Sequence, residues 1–422
     1  MNPRKPIIAM FVVGIAVIAG LTFIPYSLVE RAREAVSAVI TRPPEVVAPA
    51  LPVPTPTPPA FDAEAWYAGR GEEPARHGVL IEAFDGTRVL AAHNPDTPFN
   101  PASLIKLATT HVALPPLGAD YRIETRVYTE GEVGDDGTLR GKVTVVGGDP
   151  TFGDISAALI AKELRARGIK RVTEELSVSP EFCFNYSESP VESAERMSRV
   201  MQMKEKQRTL AETLPPSHVK PLFVLRSYPL RNILLYMNAH SSNFVAERVG
   251  AMVGGPEGIE RYLVEELKLP AEQVEIARAS GREHNRMTAR GVLTVLRALE
   301  SEATRQGLKL DDLMPVVSDD AGTLRRRLVG SPLEGAAVGK TGTLTAEVDG
   351  GMASLAGVVY TESSGMIAFV ILDQGNQIAE NRQLEDELLS EVVINHAVPR
   401  PIATPDKPRP LLPSDSLTIT SE

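Results

Sequence analysis

The sequence predicts an α/β fold of the α+β type, a five-stranded antiparallel sheet flanked by helices, with a small inserted α/β module. Three observations point there. Alternating apolar runs pair around tight turns near both ends of the folded part, at residues 77–94 and 335–375. Helical spacing dominates the middle of the chain on both sides of Ser241. A strand–strand–helix–strand block at residues 121–179 stands between the first long helix and the later ones.

The N-terminus sets the location. Arg4 and Lys5 precede residues 6–29, which carry no charge and are long enough to cross a bilayer. A cleaved signal would be followed directly by a small-x-small site. The nearest candidate, Ala35-Val36-Ser37-Ala38, lies beyond the charged stretch from Glu30 to Glu34, so residues 1–29 read as an uncleaved anchor rather than a signal peptide. Arg4 and Lys5 keep the N-terminus in the cytoplasm, although Arg31 and Arg33 oppose that orientation. The body is then extracytoplasmic or periplasmic, held at the cytoplasmic membrane. Residues 30–60 are a proline-rich tether and residues 398–422, which show no period, a loose tail.

The folded part divides into a main domain, residues 61–117 and 220–397, and an inserted module, residues 118–219. Residues 77–84 and 87–94 flank Asp85-Gly86 as a hairpin. With Asn100 as N-cap and Pro101 in the first helical position, a helix should run to Leu114 and stop at Pro115 and Pro116. The inserted block follows, then a polar stretch at 187–217 that reads equally as a solvated helix, a lid or a mobile segment. A helical run ends at Ser241 and resumes at Asn243, and strands at 335–348, 352–361 and 366–375 complete the sheet.

Composition excludes several classes. With 422 residues, 43% apolar and 23% charged, the chain can fill one large or two ordinary domains. A net charge of −10 without a long basic run argues against a nucleic-acid surface. Cys183 is the single cysteine, and the seven histidines show neither H-E-x-x-H nor paired Cys/His spacing, so no metal or other cofactor is implied.

The chemistry-bearing residues begin with Ser103 and Lys106, one helical turn apart. A lysine whose pKa is depressed by burial and another cation can take the serine proton, which activates a hydroxyl without histidine. Alone, S-x-x-K is a weak signal. Ser217 and Lys220 repeat the spacing, but Pro215, Pro216 and Pro221 prevent a helix from carrying that pair. Weight comes from two motifs downstream, Ser241-Ser242-Asn243 and Lys340-Thr341-Gly342-Thr343. In the first, one hydroxyl can pass a proton to a leaving amine while Asn243 holds an amide or the lysine; the bland reading is a helix cap. In the second, a glycine inside a strand lets a peptide backbone come close, Lys340 can lower the pKa of Lys106 and attract a carboxylate, and Thr341 and Thr343 can bind it. The Thr343 N–H can complete an oxyanion hole with that of Ser103. The bland reading is an ordinary exposed strand.

These three motifs in this order resemble the penicillin-recognising serine enzymes, that is, penicillin-binding proteins and serine β-lactamases. The stretches "FNPASLIKL", "LRGKVTVVGGDPTFG", "ASGREHN", "AGTLRRRL" and "GKTGTLT" resemble the D-alanyl-D-alanine carboxypeptidase/endopeptidase family of low-molecular-mass penicillin-binding proteins, over roughly residues 77–374. The resemblance implies the penicillin-binding-protein/β-lactamase fold, peptidoglycan stem peptides as substrate, and β-lactams as inhibitors. It makes Ser103 the acyl-enzyme nucleophile, Lys106 the base, Ser241 and Asn243 the second motif, and Lys340 to Thr343 the substrate strand. Departures are a short insert, Ala321 where the family tends to have aspartate, and Arg282 where it has leucine. A β-lactamase, an esterase and a non-catalytic wall-binding protein of the same fold remain as alternatives. No Glu-x-x-x-Asn of the kind that activates a deacylating water follows the second motif.

Overall fold

The computed structural model describes residues 61–201, 207–210, 214–215, 218–362, 365–402 and 409–421. The expected anchor and tether lie outside the described residues, as does part of the polar stretch 187–217. Among the described residues no helix is long and apolar enough to cross a membrane, and no cluster of side chains could hold a metal ion. The helices are α1 (Ala63–Ala68), α2 (Ile105–Leu117), α3 (Asp154–Ala166), α4 (Pro190–Val200), α5 (Leu230–His240), α6 (Asn243–Met252), α7 (Gly255–Glu265), α8 (Ala289–Arg305) and α9 (Ile378–Ile394).

Strands β1 (His77–Ala83) and β2 (Val89–His93) form the expected hairpin, its turn held by the Asp85 carboxylate, which accepts from the Thr87 N–H at 3.0 Å. Period-two alternation then decides what each face meets. With β9 (Ala337–Leu344), β10 (Met352–Tyr360) and β11 (Met366–Gln374) the hairpin makes a five-stranded antiparallel sheet in the order β2-β1-β11-β10-β9. Leu80, Val370 and Leu372 point to one core with Val292 and Leu296 of α8. Val79, Ile81, Phe369 and Ile371 point to the other, against Leu388, Leu389 and Val392 of α9. Helices from the middle of the chain therefore cover one face only. The second face is closed by α9 and by Trp66 and Tyr67 of α1, from the two ends of the folded part.

The second sheet contains β3 (Glu124–Val133), β4 (Thr138–Val146), β5 (Arg171–Val172), β6 (Glu175–Val178), β7 (Gln207–Leu210), β8 (Phe223–Arg226) and β12 (Thr418–Thr420). Its order is β12-β8-β3-β4-β6-β7, with β5 beside β4. It extends beyond the expected insert, because β8 and β12 both lie outside residues 118–219.

The C-terminal segment corrects the expectation of a loose tail. Its last strand pairs with β8, Leu411 and Leu417 are buried, and the Arg122 guanidinium donates to the Ser416 carbonyl. Arg409 grips the buried Asp320 carboxylate through Nε (3.0 Å) and Nη2 (2.7 Å). Ala321, one of the departures from the family pattern, packs with Leu235, Ala239 and Leu411 under this segment. The partners are far away in sequence, so no local period reports them. Arg409→Ala leaves Asp320 buried without its cation. Because Arg409 is itself 33% exposed, the cost should fall below the roughly 3–5 kcal/mol of a fully buried broken pair, at about 2 kcal/mol, seen as a lower Tm in calorimetry. An unchanged Tm would mean that this pair does not hold the segment.

Candidate active site

The serine turn is built differently from the expected helix start. Ala102 has φ 52°, a left-handed conformation that non-glycine residues rarely adopt. Ser103 therefore sits in a short 3-10 turn, Ala102–Leu104, and the α-helix begins only at Ile105. Asn100 caps this turn locally, its Oδ1 accepting from the Ala102 N–H at 3.1 Å. Helix α2 also runs past Pro115 and Pro116 to Leu117, and Gly118 at φ 85° ends it. Every residue from Ile105 to Leu114 is buried, as expected of a helix that is apolar nearly all round.

Several elements hold the strained turn. The Ser354 hydroxyl donates to the Pro101 carbonyl at 3.0 Å. Gly281, at φ 78°, lies so close that a Cβ there would stand 1.9 Å from the Ala102 carbonyl oxygen. A Cβ on Gly342 would stand 2.1 Å from Ser354 Oγ and 2.9 Å from Ala102 Cβ. The glycine of the third motif is thus required by packing onto the serine turn. Asp349 locks the same region by accepting from Asn100 Nδ2 (2.6 Å) and Arg286 Nη1 (2.8 Å). These partners, with His284, hold its carboxyl down at about 2.

Lys106 is fully buried, and its Nζ has three neighbours: Ser103 Oγ at 3.0 Å, Asn243 Oδ1 at 2.8 Å and the Ser280 carbonyl at 2.6 Å. Two of these can only accept. As an ammonium it donates to all three; as a neutral amine, with two N–H bonds and one lone pair, it can keep both carbonyls and turn the lone pair to the Ser103 hydroxyl. Burial lowers its pKa to about 7, with Glu247 opposing and Arg282 adding to the fall. Lys106 and Lys340 also repel each other, and burial together with Lys106 pushes Lys340 well below the ordinary lysine value.

The second motif divides its work at a helix junction. Ser242 is the N-cap of α6, accepting from the Val245 N–H, so the bland capping reading holds for it. Ser241 is left-handed, φ 52°, and accepts from Lys340 Nζ at 2.9 Å. Lys340 also donates to the Thr341 carbonyl at 2.5 Å. The structure thus brings Ser103, Lys106 and Asn243 into one cluster, and Ser241 and Lys340 into a second joined to it through the α5–α6 junction.

On the edge strand β9, Thr341 Oγ1 donates to Thr323 Oγ1 at 2.8 Å, and Thr343 Oγ1 accepts from Arg382 Nη2 at 2.7 Å. Beside Asn243 opens a cleft of about 580 Å³ whose lining includes Tyr186, Glu247, Arg248, Arg278 and Arg282. The roles of Ser280, Glu247, Thr323 and Arg382 were not legible in the sequence. Gly281 and Thr323 stood out only as part of family-like stretches, and a backbone acceptor such as the Ser280 carbonyl leaves no trace in residue type.

Comparison with known proteins identifies the fold and the family. The structure resembles the Bd3459 predatory endopeptidase from Bdellovibrio bacteriovorus, with a TM-score of 0.68 and 20% identity over 81% of this chain and 98% of that one. The same enzyme acylated by penicillin G, in complex with immunity protein Bd3460, matches with a TM-score of 0.66 and 21% identity, over 81% and 99%. Penicillin binding protein 4 (dacB) from Haemophilus influenzae matches with a TM-score of 0.58 and 16% identity, over 74% and 96%. No curated protein sequence matches significantly. A family model matches residues 67–183 and 203–392, a range that includes all three motifs, and the chain accordingly belongs to the D-Ala-D-Ala carboxypeptidase 3 (S13) family of serine peptidases.

Proposed function

We propose that this serine-type D-Ala-D-Ala carboxypeptidase/endopeptidase trims peptidoglycan stem peptides outside the cytoplasmic membrane, with Ser103 as nucleophile and Lys106 as base. Ser103 Oγ attacks the carbonyl before the terminal D-alanine while its proton passes to Lys106 Nζ. The N–H groups of Ser103 and Thr343 receive the oxyanion. Collapse breaks the C–N bond, and the leaving amine takes a proton from the Ser241 hydroxyl, which Lys340 holds in place; the proton taken up by Lys106 replaces it, so that Ser241 is again a hydroxyl and Lys106 a neutral amine. Water then hydrolyses the acyl-enzyme and regenerates Ser103. The substrate lies along β9, an edge strand able to accept a peptide by strand addition. The reading of residues 1–29 as an anchor and 30–60 as a tether supports a membrane-held enzyme.

The arrangement around Lys106 Nζ carries this reading, because it places a fully buried amine, its pKa lowered to about 7, 3.0 Å from the Ser103 hydroxyl. The penicillin G-acylated relative supports β-lactams as covalent probes of this site. Full-length protein treated with a fluorescent penicillin should gain one adduct by intact mass, and Ser103→Ala should gain none. Rapid release of opened drug would favour a β-lactamase. A folded wild-type protein that takes no label would favour a non-catalytic wall-binding role.

A further inference from the structure

Period-two alternation places Thr341 and Thr343 on one face of β9 and Lys340 and Gly342 on the other. Lys340 is fully buried and engaged with Ser241 and the Thr341 carbonyl. It therefore cannot be the cation that meets an incoming carboxylate on the threonine face. On that face Thr341 is buried against Thr323, a neutral partner. Thr343 is exposed, and its hydroxyl already accepts from the guanidinium of Arg382, an exposed residue in the second turn of α9.

Arg382 is held in place through its backbone. The Arg327 guanidinium donates to the Arg382 carbonyl at 3.0 Å, and binds Glu385 (2.8 Å) and Asp386 (2.8 Å) on the same helix. Arg327 lies four residues after Thr323, so one buried cation ties the loop behind Thr341 to the helix beside Thr343. A protein with net charge −10 repels anions at long range. A fixed local cation is then needed to hold one.

We infer that Arg382 is the specificity-determining cation of the substrate strand: with Thr343 it binds the free carboxylate on the leaving-group side of the scissile amide. The inference rests on the reading of β9 as the substrate strand. When the carboxylate arrives, the Thr343 hydroxyl turns from the Gly342 carbonyl, 2.7 Å away, to donate to it, and the guanidinium supplies a charge-assisted second bond. The preferred leaving group is thus an amino acid with an unmodified α-carboxylate, whether released D-alanine or a cross-linked residue that keeps that group.

Full-length wild type, Arg382→Ala, Arg382→Lys and Arg326→Ala are compared on a peptide ending in D-Ala-D-Ala, as free acid and as C-terminal amide. Arg326 lines the same outer cleft as Arg382 and controls for loss of charge alone. Wild type should prefer the acid. Arg382→Ala should lower kcat/KM on the acid about tenfold or more, mostly through KM, and leave the amide unchanged. Arg382→Lys should restore part of the preference, and Arg326→Ala should keep it. An equal fall on both peptides, or an acid/amide ratio equal to wild type, would overturn the inference while leaving the functional reading standing. A wild type that labels with penicillin at Ser103 but shows no acid preference has the same meaning. A wild type that neither labels nor cleaves overturns both.

Discussion

Replacing Lys106 with alanine should slow acylation of Ser103 by penicillin by roughly 10²–10⁴-fold, the usual worth of a positioned general base. The protein should still fold, because the change removes a buried amine rather than stranding a charge. Wild-type acylation should rise with pH through about 7 and then level, because only the unprotonated amine can take the serine proton. Neighbouring charges give the direction of further changes. Arg282 lowers the lysine pKa, so Arg282→Ala should move the profile to higher pH. Glu247 raises it, so Glu247→Gln should move the profile to lower pH. Stopped-flow acylation between pH 5 and 9 measures all three. A flat profile, or two variants that shift it in the same direction, would remove Lys106 from the role of base.

Gly281→Ala should be nearly as damaging, although Gly281 bears no functional group. The new Cβ would stand 1.9 Å from the Ala102 carbonyl oxygen and 3.1 Å from Ser103 Cα, so the serine turn has to move. A displacement of about 1 Å at a nucleophile costs on the order of 10²-fold in rate. Gly168→Ala provides the control. Gly168 has a similar φ, 85°, but open space around it, so it carries the backbone strain without the collision. Both variants should lose some stability by thermal melting, whereas only Gly281→Ala should lose penicillin acylation. Full activity in Gly281→Ala would mean that the loop before Glu283 yields and that the serine turn is not held from that side.

Much of the sheet was legible from the sequence because strands report themselves locally. The turn at Asp85-Gly86 and the apolar runs of β9, β10 and β11 follow period-two alternation and turn chemistry. The same was true of the three motifs, whose residue types and order carry chemical meaning. Less legible was anything set by a distant partner. The cover of the second face by α1 and α9 depends on which elements the sheet leaves bare. The docking of the C-terminal segment depends on Asp320, nearly ninety residues earlier in the chain.

The sequence by itself determined that Ser103 and Lys106 lie one turn apart, that a Ser-x-Asn junction and a Lys-Thr-Gly-Thr strand follow, and that the chain folds around an antiparallel sheet. Only the tertiary structure decided the 3-10 turn at Ser103, since a left-handed Ala102 is tolerable only where Gly281, Gly342 and Ser354 enclose it. It also decided how burial and neighbouring charges act on the amines of the site. Desolvation depends on burial and Coulomb interaction on distance, and neither quantity exists until the chain has closed around Lys106, Lys340 and Arg382.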